Sequence, residues 1–291
     1  MAPALALLSA FLYGVSMVMA RIGLRNMDTF SGALISMGFS FVGSLVLVFF
    51  FVPFSHFAGW VLIYFIIGGL LGPCLGRVLL FTGINRVGSS TASTLYAIKP
   101  LFSSLAAVLI LGERLTPGIA AATVIMVGGL ATIGSKNSGS RVERSWSKKD
   151  LIFPIAAGAA YGLAHVFRKI GLNINHDPLM GVAVQNIAAL AFSLTIAVCS
   201  GNGWKPAAWN DPTAWLAFGA SGVFSVLGQL ALFQALEIGS VIVVSPLSAI
   251  SPLFVIVMAG IFLKRFERVT WKIALGAVLI VAGTVLLSIF H

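Results

Sequence analysis

Long apolar runs fill most of the chain, and polar residues are confined to short stretches between them. Each run is continuously apolar instead of alternating. Each is also about 20 residues long, the length that a helix needs to cross about 30 Å of hydrocarbon. The pattern predicts an all-α polytopic membrane protein with ten transmembrane helices. The predicted spans are residues 2–20, 30–52, 60–81, 89–111, 117–134, 151–170, 179–200, 213–233, 240–263 and 270–290.

Motifs of the first five spans recur in the last five. Tyr13-Gly14 recurs as Tyr161-Gly162, and the segment that begins at Pro100 recurs from Pro252. Because each half contains an odd number of predicted spans, the second copy enters the bilayer in the opposite orientation. Such inverted repeats are typical of secondary transporters.

The predicted organisation has three parts. Residues 1–134 form a first five-helix repeat, residues 135–150 a linker, and residues 151–291 a second five-helix repeat. The linker carries basic residues among serines and a glycine. We interpret it as a flexible connection between the repeats, and nucleic acid is not an expected partner.

Composition agrees with a chain that lies in a bilayer. Hydrophobic residues make up 59% of the 291 residues, charged residues 9%, and the mean hydropathy is +1.04. This leaves too little polar surface for a soluble globule. The predicted spans contain no catalytic motif or metal-ligand spacing, so we expect no enzymatic activity, no metal and no cofactor. The expected partners are a small-molecule substrate and the lipid bilayer, and homodimer formation stays open.

Two features of the repeats resemble a known family. A Gly-Ser pair followed by Pro-Leu-Phe occurs in the fourth span of each half, and Leu-Gly-Glu-Arg-Leu-Thr occupies residues 111–116. These features are similar to the EamA type of the drug/metabolite transporter superfamily, and the resemblance covers nearly the whole chain. It implies a ten-helix secondary transporter, commonly an exporter of amino acids or other small metabolites. Such transporters work by alternating access without nucleotide hydrolysis.

The distribution of positive charge predicts the orientation. With Arg77 and Lys99 set aside as intramembrane residues, most basic residues fall on the side of the linker. The positive-inside rule places this side in the cytoplasm and both termini on the outer side of the cell (inner) membrane. The family resemblance implies the reverse orientation, and our prediction follows the charge count. The residues on the linker side are Arg21, Arg25, Arg86, Lys136, Arg141, Arg144, Lys148, Lys149, Lys205, Lys264, Arg265, Arg268 and Lys272; those on the opposite side are Arg114, Arg168 and Lys169.

Lys99 is the main candidate for substrate binding. It lies next to Pro100 in the middle of the fourth predicted span, where a charge costs roughly 2.5 to 3.5 kcal/mol. A polar pathway for a transported solute explains such a charge. The alternative is a structural lysine that is satisfied by backbone carbonyls or uncharged in its apolar surroundings.

Prolines predict irregular helices around this lysine. Pro100 and Pro252 lack an amide hydrogen, so the carbonyls of Tyr96 and Ser248 lose their helical donors. We predict that both helices kink around a central site to which Tyr96 and Ser248 contribute. Pro73 in the third span is a third predicted kink and a candidate flex point. A kink that serves only helix packing is the alternative.

Five further residues complete the candidate site. Arg77 and its repeat equivalent Gln229 lie about four residues from predicted helix ends, so Arg77 either faces the interior or extends its side chain to interfacial water. Tyr13 and Tyr161 lie well inside their spans and can offer hydroxyls to a substrate. His165, one turn beyond Tyr161, is the candidate for proton coupling, with a packed neutral histidine as the alternative.

The predicted interior contains cations and no carboxylate, because every Glu lies at a helix end or in a loop, as does every Asp. An exporter of lipophilic cations needs a buried carboxylate. We therefore expect a substrate with an anionic group, such as an amino or organic acid. Phosphorylated metabolites and lipid headgroups are alternative substrates, whereas a membrane enzyme or a structural subunit does not explain a charge at the midplane.

Overall fold

A computed structural model describes residues 1–51, 59–114, 116–133, 147–199 and 211–262, together with short stretches between 271 and 286. The regular structure of this described part is helical, without strands. The helices are α1 (Ala2–Gly23), α2 (Thr29–Phe51), α3 (Leu62–Gly69), α4 (Arg77–Val87), α5 (Ser89–Tyr96), α6 (Lys99–Ala106), α7 (Pro117–Ile133), α8 (Ile152–Asn175), α9 (Pro178–Cys199), α10 (Pro212–Ile238), α11 (Val241–Ser248) and α12 (Ser251–Phe262). A π-helix (Leu70–Gly76) joins α3 to α4, a second (Ala107–Leu111) extends α6, and a 3-10 helix (Lys148–Leu151) precedes α8.

Seven helical segments of the described residues are long and apolar enough to cross a membrane. The prediction of an all-helical, multi-pass membrane protein is thus confirmed. The predicted spans at 89–111 and 117–134 contain shorter apolar helices. Most of the tenth predicted span, 270–290, and most of the predicted linker lie outside the described residues. The seven long segments are Ala2–Gly23, Thr29–Phe51, Leu62–Val87, Lys149–Asn175, Pro178–Cys199, Pro212–Ile238 and Val241–Met258.

Three spans continue for about one turn or more beyond their predicted ends. The third runs to Val87 instead of residue 81, the sixth to Asn175 instead of 170, and the eighth to Ile238 instead of 233. These last turns carry polar residues such as Arg86 and Glu237, which end the apolar pattern. The helices continue because polar side chains at a helix tip can reach interfacial water.

The predicted spans at 89–111 and 240–263 are each broken in the middle. One helix ends at Tyr96 and the next begins at Lys99, and the same break recurs between Ser248 and Ser251. In both cases the proline is the second residue of the following helix, where no amide donor is needed. Each proline therefore begins a new helix and leaves a carbonyl of the preceding one without its usual donor.

The first helix of each half packs against the broken helix of the other half. A Cβ atom on Gly14 of α1 would lie 2.8 Å from the Phe254 Cβ of α12, and one on Gly162 of α8 would lie 2.6 Å from the Lys99 carbonyl oxygen of α6. Side chains do not fit at such distances, so the helices approach closely only through glycine. The repeated Tyr-Gly motif therefore marks the two points at which α1 and α8 contact the breaks.

Two charged side chains, here called the charged clasp, close the junction between α10 and α11. Glu113 accepts hydrogen bonds of 2.9 Å from the amides of Val241 and Ile242 at the start of α11. Lys169 donates through Nζ to the Leu236 carbonyl oxygen at 2.7 Å, near the end of α10. The negative charge of Glu113 meets the free amides and the positive dipole end at the start of α11. The positive charge of Lys169 meets a carbonyl oxygen and the negative dipole end of α10.

Glu113→Ala is expected to lower the free energy of unfolding by about 1–2 kcal/mol, because two amides at the start of α11 lose their acceptor. Denaturant titration of the purified protein in a non-ionic detergent measures this loss. Glu237→Ala is the matched control, because Nζ of Lys169 donates to the backbone carbonyl oxygen of Glu237, at 3.3 Å, and this oxygen remains when the side chain is shortened. This control is expected to stay within about 0.5 kcal/mol of wild type. Equal stabilities for wild type and Glu113→Ala would contradict a role for the clasp.

Candidate functional site

Three cationic side chains lie buried in the interior. Arg77, Lys99 and Arg168 have exposed fractions of 3%, 1% and 0%, and Lys99 and Arg168 lie within electrostatic range of each other. No Asp or Glu is among the buried residues of the described chain. Burying cations without a counter-ion costs several kcal/mol for each charge. The excess of buried positive charge is therefore the feature of this site that most needs a functional explanation.

Arg77 is held by serine hydroxyls from two neighbouring helices. Its Nη1 donates to Ser36 and Ser40 of α2, each at 3.2 Å, and its Nη2 donates to Ser225 of α10 at 2.6 Å. The guanidinium thus faces the interior, and the alternative that it extends to interfacial water is wrong. Small residues on α2 serve here as ligands of an arginine as well as a close-packing surface.

A chain of hydrogen bonds continues from Arg77 to Arg168. Ser225 also accepts from Nε2 of Gln229 at 3.2 Å, and Oε1 of Gln229 accepts from Nε2 of Gln185. Oε1 of Gln185 then accepts from Nε of Arg168 at 3.0 Å. Neutral amides and hydroxyls therefore connect the two guanidinium groups, and no carboxylate takes part in the chain.

Arg168 is fixed in position by its surroundings. Its Cζ lies 5.9 Å from the ring centroid of Tyr161 and 5.5 Å from that of Phe233, distances typical of cation–π contacts. Nη2 lies against Gly72, where a Cβ would overlap it. Both Nη1 and Nη2 are buried and have no hydrogen-bond partner. The guanidinium is oriented but not neutralised.

Lys99 joins the two helix breaks. Its Nζ donates to the carbonyl oxygen of Ser248 at 3.3 Å, and this is the carbonyl whose helical donor Pro252 removes. Nζ also lies 5.2 Å from the ring centroid of Tyr96. The structural alternative of a lysine bound to a backbone carbonyl is therefore present. An ammonium group has three donors, however, so one such bond leaves others for a solute.

Three tyrosines that the sequence places in the site lie near these cations. The rings of Tyr96 and Tyr161 pack edge to face, with centroids 5.3 Å apart. The hydroxyl of Tyr13 is buried without a hydrogen-bond partner and lies within electrostatic range of Arg168 and Arg77. Tyrosines from α1, α5 and α8 thus meet at one place.

His165 is 1% exposed, its Nδ1 has no hydrogen-bond partner, and it lies within electrostatic range of Lys99 and Arg168. It therefore belongs to the same cluster. The Oγ of Ser248 contributes less, because it donates to the Ser245 carbonyl oxygen of its own helix at 2.9 Å. Within the described residues, no three His, Cys, Asp or Glu side chains group as metal ligands do.

Pro73 lies in the π-helix that borders the site. This segment, Leu70–Gly76, contains Gly72 against Arg168 and Gly76 against Tyr161, where a Cβ would lie 2.7 Å from the ring. A proline removes one hydrogen bond of the helix, and wide π turns of this kind are frequent at functional sites. The irregular segment therefore lies directly against the buried cluster.

Comparison with known families identifies the family of the chain. A model of the EamA-like transporter family matches residues 1–135 and, a second time, residues 148–289. The chain belongs to the EamA-like transporter family. This EamA-like protein is thereby a member of the drug/metabolite transporter superfamily, and the family indicates membrane transport rather than enzymatic catalysis.

Two curated proteins and one solved structure are similar to this chain. The chain is 28% identical over 151 residues to an uncharacterized transporter encoded in the cobO 3′ region of a Sinorhizobium species, a match that covers 51% of this chain and 100% of that protein. It is 32% identical over 139 residues to an uncharacterized protein of Methanocaldococcus jannaschii, covering 48% of this chain and 96% of that protein. A protein of known crystal structure shares the fold, with a TM-score of 0.78 and 17% identity over 99% of this chain and 96% of that chain.

Sequence reasoning missed Arg168 and Gln185 of this EamA-like protein. The charge count places Arg168 on the side opposite the linker, at the end of the sixth predicted span, whereas the structure buries it fully in α8. A signal was present: Tyr161, His165 and Arg168 have the spacing of one helix face. Gln185 is a polar residue in an apolar span, which is in itself a reason to suspect function.

Proposed function

We propose that this EamA-like protein is a secondary active exporter of small metabolites that carry an anionic group, such as amino or organic acids. The observation that carries the proposal is the group of three buried cations, Arg77, Lys99 and Arg168, without a buried carboxylate in the described part of the chain. A bound anion would neutralise charge that the protein itself leaves unpaired. A lipophilic cation would meet repulsion at the same place.

Alternating access between two inverted five-helix repeats is the proposed mechanism. The repeats are residues 1–134 and 151–291, joined by the linker at 135–150. Three observations support this organisation: the family model matches both halves, the first helix of each half packs on the broken helix of the other, and the two broken helices contact each other. The last contact joins the hydroxyls of Ser103 and Ser245 at 2.6 Å. A site between the repeats can then open to either side in turn.

Transport of a lipid headgroup is the second candidate, and an apolar groove between α2, α9 and α10 is the observation behind it. The groove has a volume of about 420 Å³ and is lined by residues that include Leu34, Leu190 and Trp215. A headgroup transporter needs such an opening for acyl chains beside its cationic site. The lining of this groove includes none of the three buried cations. A soluble anion, either a carboxylate or a phosphorylated metabolite, is therefore favoured.

Ligand-dependent melting of the purified protein tests the substrate class. Succinate, L-glutamate and glycerol phosphate represent anions, and tetraphenylphosphonium represents lipophilic cations. A ligand at about 100 times its dissociation constant adds about 2.7 kcal/mol to the free energy of unfolding, which raises the melting temperature. We expect at least one anion to do so and the cation to have no effect. Stabilisation by the cation alone, or by no anion, would overturn the proposal.

Accessibility to a membrane-impermeant thiol reagent tests the proposed orientation in the inner membrane. Lys149 and Thr116 are exposed, and the orientation predicted from the charge count places them on opposite sides of the membrane. A Cys199→Ser background removes the exposed native thiol. In whole cells, Lys149→Cys is expected to resist the reagent and Thr116→Cys to react. The reverse labelling would show that the termini are cytoplasmic, as the family resemblance implies.

A further inference from the structure

Arg168 differs from the other two buried cations in what its charged group contacts. The η nitrogens of Arg77 bond to three serine hydroxyls, and Nζ of Lys99 bonds to a backbone carbonyl. Arg168 uses only Nε, on Gln185, and its Nη1 and Nη2 are buried without partners. A guanidinium presents its donors as a rigid fork that matches two oxygens of one carboxylate or phosphate. The unused side of this fork is the side that such a group would occupy.

We propose that Arg168 is the anchor of the substrate's anionic group, with Nη1 and Nη2 each donating to one oxygen of a carboxylate or phosphate. Gln185 holds Nε and so directs the fork toward that group. This inference rests on the proposed function and adds to it the residue and the geometry of recognition. Lys99 then has a different role, in which it joins the two helix breaks and adds positive charge to the site.

The neighbours of Arg168 fit a binding role. Gln185 is itself held by Gln229, so the orientation of the fork is supported by a second amide. The hydroxyl of Tyr13 and Nδ1 of His165 are buried, unpartnered and within electrostatic range of Arg168, so they can serve another polar group of the same small solute. Buried polar groups without hydrogen-bond partners, next to a guanidinium with unpaired nitrogens, destabilise the folded protein unless a ligand bonds to them.

The two repeats differ at this position. The Tyr-Gly motif aligns Tyr13 with Tyr161, and this alignment places Ala20 opposite Arg168. The anchoring arginine therefore occurs in the second repeat and has no equivalent arginine in the first. A site with one fork suits a solute that presents one oxyanion group to it. This asymmetry also explains why comparison of the repeats does not reveal Arg168.

Affinity measurements on two variants of the full-length protein test the anchor. The probes are succinate, L-glutamate and glycerol phosphate, and affinity is obtained from the rise of the melting temperature with ligand concentration. Arg168→Lys keeps the charge but removes the fork, so the affinity for the stabilising anion is expected to fall at least about tenfold. Arg86→Lys is the matched control at an exposed arginine paired with Asp150, and its affinity is expected to stay within about twofold of wild type.

Gln185→Glu provides a test that does not depend on the folding of the first variant. The new carboxylate would lie beside Nε of Arg168 and supply the missing counter-ion. The Gln229 amide, whose Oε1 accepts from Nε2 of Gln185 in wild type, would turn over so that its own Nε2 donates to the carboxylate. The unliganded protein is then expected to melt higher than wild type, while the anion no longer raises its melting temperature. A purely structural arginine would also gain stability from this change but would leave the effect of the anion intact.

The outcomes separate the anchor from the proposed function. If an anion stabilises wild type and its affinity for Arg168→Lys or Gln185→Glu stays within about twofold of wild type, the anchor is overturned. The proposed function is not contradicted by that result. No stabilisation of wild type by any anion would overturn both. A third outcome is that short-chain phosphatidylglycerol stabilises wild type, glycerol phosphate does not, and the lipid no longer stabilises Gln185→Glu. This outcome would support the anchor and identify a lipid headgroup as its ligand.

Discussion

Lys99→Gln is expected to fold and to transport at least about ten times more slowly than wild type. The substitution deletes one of three buried positive charges, and a charge-assisted contact with an anion is worth about 1.5 to 3 kcal/mol. The glutamine amide still offers a donor near the Ser248 carbonyl oxygen, which accepts from Nζ of Lys99 at 3.3 Å. The measurement is flux of the stabilising anion in vesicles, together with the melting temperature.

Lys99→Met separates the two roles of the lysine. Methionine has a similar length but no donor, so the buried Ser248 carbonyl loses its partner. The methionine variant is expected to be less stable than the glutamine variant by about 1–3 kcal/mol, and both are expected to lose flux. Arg86→Gln, an exposed change of the same charge, is expected to keep normal flux. Normal flux from a well-folded Lys99→Gln protein would contradict a contribution of the Lys99 charge to anion transport.

The helix breaks were predictable from the sequence because their cause is local. Pro100 and Pro252 remove an amide donor whatever the rest of the chain does, and the structure interrupts both helices two residues before the proline. The membrane class was predictable for a similar reason, since the length and polarity of a span are properties of the segment alone. Predictions of this kind need no knowledge of neighbouring helices.

The contacts of the buried cations were not predictable in the same way. Whether Arg168 extends to water or points inward depends on which face of α8 meets α3 and the π-helix, and the apolar pattern of a membrane helix does not show this. The same limit applies to Lys99, whose partner lies in the other half of the chain at Ser248. The sequence identified the residue types, and long-range packing determines which of them contact each other.

The packing that assembles the site can be tested at Gly162. A Cβ added there would lie 2.6 Å from the Lys99 carbonyl oxygen and 3.0 Å from the Phe102 Cβ, so α8 and α6 must separate to admit it. Overpacking of this kind costs about 1–3 kcal/mol, which exceeds the gain of up to about 1 kcal/mol when alanine replaces glycine in a helix. Gly162→Ala is therefore expected to lower the free energy of unfolding, measured by denaturant titration in detergent.

Gly128→Ala supplies the matched control for this argument. It lies in α7, and a Cβ added there meets nothing within 4 Å, so the same substitution is expected to leave stability unchanged or to raise it by up to about 1 kcal/mol. Gly162→Ala should also reduce flux, because displacing α6 moves Lys99 away from Ser248 and the rest of the cluster. If Gly162→Ala is as stable and as active as Gly128→Ala, then α8 does not approach the break between Tyr96 and Lys99 as closely as the structure shows. This result would contradict the packing of the first helix of one half against the broken helix of the other.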